Sequence, residues 1–209
     1  MLSQLLDIYE QLWMRDDSPW AAHEADSLGR MRQFLASSPE VFQRSHIPGH
    51  FTGSALVCDP HLTRVALTHH TKLDKWLQFG GHADGDDNLA RVALREAEEE
   101  SGLPRLNYLD FEEALGCPHH PVPFDLDIHE IPARGSEPAH LHYDVRFVVV
   151  SQTQALQMNE ESQQLGWFSL AEAREKTQEE SMLRQFQKLE LLHRTLVKQP
   201  TEISTSPQR

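Results

Sequence analysis

Glu96, Glu98, Glu99 and Glu100 crowd into five consecutive positions, between the glycine pair Gly80-Gly81 and the helix-stopping run Gly102-Leu103-Pro104. Leu89, Val92, Ala93, Leu94 and Ala97 recur at helical spacing through the same stretch. The segment therefore reads as a helix that Asp86 or Asp87 caps and Gly102 ends, set behind a glycine turn at Gly80-Gly81. Glu96, Glu99 and Glu100, at i, i+3 and i+4, share one helix face, and Glu98 points away into solvent. Three like charges on one face repel, so the arrangement calls for a counter-charge or for full solvation. Hard cations such as Mg²⁺ supply the counter-charge, because they take oxygen ligands and keep positions open for substrate phosphates. A solvated acidic face is the plainer alternative for the bare run. Arg95 is placed to pair with Glu98 or Glu99 and to orient one ligand from outside the metal's own shell.

The wider spacing narrows the choice. Gly81, Asp87, Arg95, Glu96, Ala97, Glu99, Glu100, Gly102 and Leu103 fit G-x5-[acid]-x7-R-E-U-x-E-E-x-G-U, with U aliphatic. This pattern resembles the signature of the Nudix hydrolase superfamily, with Asp87 standing where that family usually has Glu. Gly80 ahead of the motif and Trp167-Phe168-Ser169-Leu170 late in the chain add to the likeness, which spans residues 48–197. The resemblance implies an α/β/α sandwich with a mixed sheet. It also implies hydrolysis of a nucleoside diphosphate linked to a further moiety X, with Mg²⁺ or Mn²⁺. Glu96, Glu99 and Glu100 would then be metal ligands together with the Gly80 carbonyl, and Asp87 and Arg95 would brace the loop and helix.

The base that takes a proton from the attacking water would be Glu99 or Glu100, or else Glu161, six residues before Trp167. Glu161, beside Glu160, also reads as an ordinary loop carboxylate. Pro118, fifteen residues beyond Leu103, resembles the ADP-ribose branch and tilts X toward ADP-ribose or a nucleotide sugar. The alternatives are house-cleaning of oxidised nucleoside triphosphates, non-catalytic nucleotide sensing and RNA decapping.

Outside the motif, Leu2 to Met14 and Trp20 to Ala36 carry helical apolar stripes, so residues 1–47 read as a small helical appendage. Strand signals follow at Phe51–Cys58, Val65–Thr68, Asn107–Leu115, Phe124–Ile131 and His142–Val150, with a short final strand at Gly166-Trp167-Phe168. Ser169 should cap a short helix, Ser181 to Val197 forms a longer one, and residues 198–209 read as a polar, frayed tail. Strands with intervening helices argue independently for an α/β sandwich with a mixed sheet.

A formal net charge of −13 opposes tight binding to a nucleic-acid backbone. The absence of an apolar run of about 18 residues argues against a membrane span. Cys58 and Cys117 make no pairing framework, and the first residues lack a secretory pattern, so a reduced cytoplasmic setting is expected. A homodimer, with the first helices covering apolar surface, fits the same reading. Among thirteen histidines, His129, His140 and His142 could face one another across a hairpin, as surface residues, substrate contacts or a second metal site. His82, next to the glycine pair, is either a phosphate neighbour or a solvent-facing turn residue. Trp13, Trp20 and Trp76 read as core or contact residues, and Tyr143 or Phe124 as candidates to stack on a nucleobase.

Overall fold

The computed structural model describes residues 1–14, 18–71, 73–111, 116, 121–157 and 162–198. Helices α1 (Leu2–Trp13) and α2 (Ala21–Leu35) and a 3-10 turn (Pro39–Phe42) lead into strands β1 (Gly49–Cys58), β2 (Arg64–His70), β3 (Lys75–Leu77) and β4 (Phe79–His82). Helix α3 (Leu89–Ser101) follows, then β5 (Asn107–Tyr108), β6 (Asp125–Ile131), β7 (His140–Val150), β8 (Ser162–Ser169), α4 (Leu170–Lys176) and α5 (Glu180–Lys198). Glu161, Pro118 and Cys117 lie outside the described residues. Among the described residues, no helix is long and apolar enough to cross a membrane.

All eight strands join one mixed sheet. Strand β1 runs parallel to β7 from Gly49↔Leu141 to Cys58↔Val150. Its other edge pairs antiparallel with β4 near the start and with β2 near the end. The hairpin of β6 and β7 forms as expected, from Asp125↔Arg146 to Ile131↔His140. Of the expected Asn107–Leu115 strand, Asn107 and Tyr108 pair with Val150 and Val149, residues 109–111 do not continue it, and residues 112–115 lie outside the described residues. The expected Gly166–Phe168 strand is longer, because β8 lies along the whole of β2.

Alternation along β1 assigns the two faces. Phe51, Ala55 and Val57 bury against Leu89, Ala93 and Ala97 of α3 and against Leu6, Met31 and Phe34 of the first two helices. Leu56 and Cys58 bury on the other face against Phe186 and Leu189 of α5. The layers are helix, sheet, helix, and the N-terminal helices share the first core. Gly53 sets how closely α3 can lie: a Cβ there would come 2.5 Å from the Leu89 carbonyl oxygen and 3.2 Å from the Ala93 nitrogen. Trp13 packs edge-on against Phe111 and Phe124, and Trp76 against Phe168. Phe124 is fully buried and Tyr143 stacks on Phe34 at 3.8 Å, so both belong to the core rather than to a nucleobase platform.

A polar network fills the middle of the α5 face. Lys188, fully buried, donates to the Tyr9 hydroxyl (3.1 Å), to the Phe124 carbonyl (3.1 Å) and to Asp125 (3.0 Å), and is paired with the buried Glu24. Arg184 grips Asp125 and Asp127, and Arg146 reaches Asp125, Asp127 and Asp144. Asp144 in turn accepts from Thr52 (2.9 Å) and Ser54 (2.5 Å) of β1. Buried charges persist only when they are paired and hydrogen-bonded in this way.

Candidate active site

Helix α3 begins one or two residues later than the acids suggested. Asn88 is the N-cap and accepts from the Arg91 amide, whereas Asp86 binds the Arg91 guanidinium at 2.7 and 2.8 Å. That ion pair holds the Asp86 carboxyl below its usual range. Asp87, the acid that fits the motif, is exposed. Gly102 stops the helix in the left-handed conformation, φ 67°, as its sequence position implied.

The glycine pair is not a turn. Gly80 and Gly81 lie inside β4, paired with Ser54 and Gly53, and the chain reverses later, at Asp84 and Gly85. Glycine is needed at Gly80 and Gly81 for close approach rather than for bending. A Cβ at Gly81 would stand 2.6 Å from the Glu96 carboxylate, and one at Gly80 would stand 2.6 Å from the Ser54 hydroxyl. The Gly80 amide donates to Glu100 at 3.2 Å. Glu96 and Glu100 therefore reach back from α3 to the same two residues of β4.

Arg95 bonds Glu96 at 2.7 Å rather than Glu98 or Glu99, because the neighbouring carboxylate is the one turned toward it. Glu98 is half-buried rather than free in solvent: it accepts from the Leu106 amide at 3.1 Å and so fixes the chain beyond the helix. Glu99 is exposed. The three glutamates thus occupy one end of one helix, Glu96 turned toward Arg95 and Gly81, Glu100 toward Gly80, and Glu99 into solvent. Their chemistry fits a hard divalent cation: oxygen donors only, the Gly81 cradle that a Cβ would fill, and open water on one side. Gly81→Ala is expected to push the flexible Glu96 carboxylate aside, lowering activity strongly while changing the melting temperature little; paired activity and thermal-denaturation measurements check this.

On the opposite face of β4 and β1 lies a second constellation. His50 of β1 is directly beside His142 of β7, which is beside His129 of β6, and His82 of β4 is beside Thr52. His140, two residues before His142, completes the group. Sequence reasoning found His82, His129, His140 and His142 but missed His50. The available signal was the polar alternation His50, Thr52, Ser54 at the start of a strand that is otherwise apolar on that face. Burial lowers the His50 pKa to about 4, aided by His82 and His140. Burial likewise lowers His142 and His82. Beside His140 opens a cleft of about 460 Å³, lined among others by Arg44, Asp84 and Glu137.

Below about pH 6.5 the unfolded chain binds the proton that folded His50 refuses. Stability should therefore fall as pH drops from about 6.5 toward about 4. Urea midpoints measured across that window check the sign, and a His50→Gln variant should flatten the slope.

The sequence matches the NUDIX domain family over residues 50–189. Among solved structures, a NUDIX-family hydrolase from Clostridium perfringens aligns with TM-score 0.51 and 23% identity, covering 68% of this chain and 97% of that one. An Ap4A hydrolase from C. elegans, in a binary complex, aligns with TM-score 0.51 and 15% identity, covering 68% and 95%. No curated protein matches the chain. The matched span takes in the glycine strand and the glutamate helix just described, and the chain belongs to the Nudix family of hydrolases.

Proposed function

We propose that this Nudix hydrolase cleaves the diphosphate of a nucleoside diphosphate joined to a further moiety X, with Mg²⁺ or Mn²⁺ as cofactor. The observation that carries this reading is the return of Glu96 and Glu100 from α3 to Gly80 and Gly81, at an end of the helix open to water. Glu96, Glu99, Glu100 and the Gly80 carbonyl would hold the metal. When bound, a divalent cation neutralises the non-bridging phosphate oxygens and acidifies a water molecule.

The chain's own groups supply the rest. Arg95 pins Glu96, leaving its other oxygen to ligate. The Gly80 amide, fixed in a strand, orients Glu100. Glu99, exposed on the helix, takes the proton from the attacking water, and Glu161 is the competing base.

A panel of dinucleotides, nucleotide sugars, ADP-ribose and nucleoside triphosphates, with products separated by chromatography, tests the proposal. A nucleoside monophosphate plus phosphorylated X supports it. Pyrophosphate plus a monophosphate would move the protein to the triphosphate class. Binding without turnover of any member would make it a sensor. Loss of activity in Glu161→Gln with full activity in Glu99→Gln would hand the proton to Glu161.

A further inference from the structure

We infer that His50, His82 and His142 form a binding site for a transition-metal dication, Zn²⁺ in the first instance, separate from the glutamate site. The three imidazoles come from three adjacent strands, β1, β4 and β7, and their ligand atoms all lie within 4.8 Å of one another. Their ring centroids stand 4.8 to 5.1 Å apart. Hydrogen-bonded strands hold the set in register, so little order remains to be imposed by a metal.

The cluster also lacks internal satisfaction. Both ring nitrogens of His50, which is 1% exposed, have no hydrogen-bond partner, and neither has Nε2 of His142. Buried polar atoms are almost always paired, and leaving one unpaired costs about 1–3 kcal/mol. A neutral imidazole keeps one ring nitrogen as a lone-pair acceptor, and those of His50 and His142 meet here without a protein hydrogen bond, which a cation would resolve. A hydrogen-bond donor from the protein is not in reach of these atoms among the described residues.

Two further imidazoles flank the three. The His140 Nδ1 is tied to the Pro138 carbonyl at 2.9 Å, and its Nε2 is buried without a partner. The His129 Nδ1 is tied to the Asp127 carboxylate at 3.0 Å. The carbonyl on Nδ1 of His140 fixes the tautomer and direction of that ring and leaves its Nε2 bare. His140 is therefore the nearest further imidazole for the fourth position of a tetrahedral ion.

Ligand type decides which metal. Imidazoles suit Zn²⁺ and its transition-metal neighbours, whereas Mg²⁺ asks for oxygen. The two sites also face opposite ways: Gly81 presents its open side to Glu96, while Gly80 faces Ser54, and His82 shares the side of Gly80. A zinc ion held there would clamp β4 to β1 and β7 directly behind the strand that meets the glutamates.

The test uses the full chain, stripped of metal with a chelator and dialysed against Zn²⁺ in saturating Mg²⁺, with bound metal counted by atomic emission. One Zn²⁺ per chain that Mg²⁺ does not displace is expected, together with a raised melting temperature. His82→Ala and His142→Ala should each weaken Zn²⁺ by more than about 100-fold, beyond the loss seen when only outer-shell partners are removed. Glu96→Gln should bind Zn²⁺ as the native chain does. His82 sits at the partly exposed end of β4, so that variant should keep its circular dichroism even if His50→Ala does not fold. Zinc displaced by Mg²⁺, zinc lost in Glu96→Gln, or native affinity in folded His82→Ala and His142→Ala would each overturn the assignment.

Discussion

Glu99→Gln is expected to lower turnover by roughly 10²- to 10⁴-fold, the range for loss of a general base, with little change in substrate KM. The side chain is exposed at the end of α3 and the substitution keeps its shape, so stability should not move. What disappears is a negative charge and a proton acceptor, both needed most when phosphate charge redistributes. Glu99→Gln and Glu100→Gln each remove a proposed metal ligand, so each should also raise the Mg²⁺ concentration needed for half-maximal rate, and Glu100→Gln, whose carboxylate the Gly80 amide orients, should raise it more. Steady-state kinetics over a Mg²⁺ series, with melting temperature alongside, separates the two effects. Near-native rates in both variants would remove the carboxylate helix from the chemistry altogether.

The largest expected effect on stability comes from Asp125→Ala. This carboxylate is completely buried and accepts from Arg184 at 2.9 and 2.8 Å, from Lys188 at 3.0 Å and from Arg146 at 3.5 Å. Truncating it removes the carboxylate that three buried cations share, and breaking a buried pair costs about 3–5 kcal/mol. For a chain of this size that corresponds to a melting temperature lower by roughly 6–20 °C. Calorimetry or urea denaturation checks the figure, and a loss under about 1 kcal/mol would mean that water replaces the carboxylate. The Glu24 side of the network differs from the Asp125 side. Burial raises the Glu24 pKa, whereas its three cationic neighbours hold Asp125 low despite complete burial. Acid should therefore protonate Glu24 before Asp125.

Much of this was readable from local pattern. The stop at Gly102, the stripe of α3, the hairpin of β6 and β7 and the cap of α4 each rest on residues close in sequence. Ser169 caps α4 with Glu172 returning to its amide, a box that short-range rules describe well. The failures share a different cause. Gly80-Gly81 was read as a bend because glycine frees the backbone, yet its use here is to admit Ser54 and Glu96, which are distant in sequence. Arg95 bonds the adjacent Glu96, a pairing that helical spacing does not encode. His50 and His82 meet only through the order of β4, β1 and β7 in the sheet. Glu24 and Lys188 each look like polar surface residues on their own helices, and only the tertiary pairing buries them.

That last pair ties the second helix to the final one, and Tyr9 joins them across 179 positions of sequence. As the chain leaves the ribosome, Glu24 emerges long before its ammonium partner has been made. The early helices can thus touch the growing sheet, but burying that acid before its partner arrives requires it to take up a proton. Docking of the last helix is then the event that closes the molecule, and a nascent chain halted before residue 188 should remain open to proteolysis at its beginning.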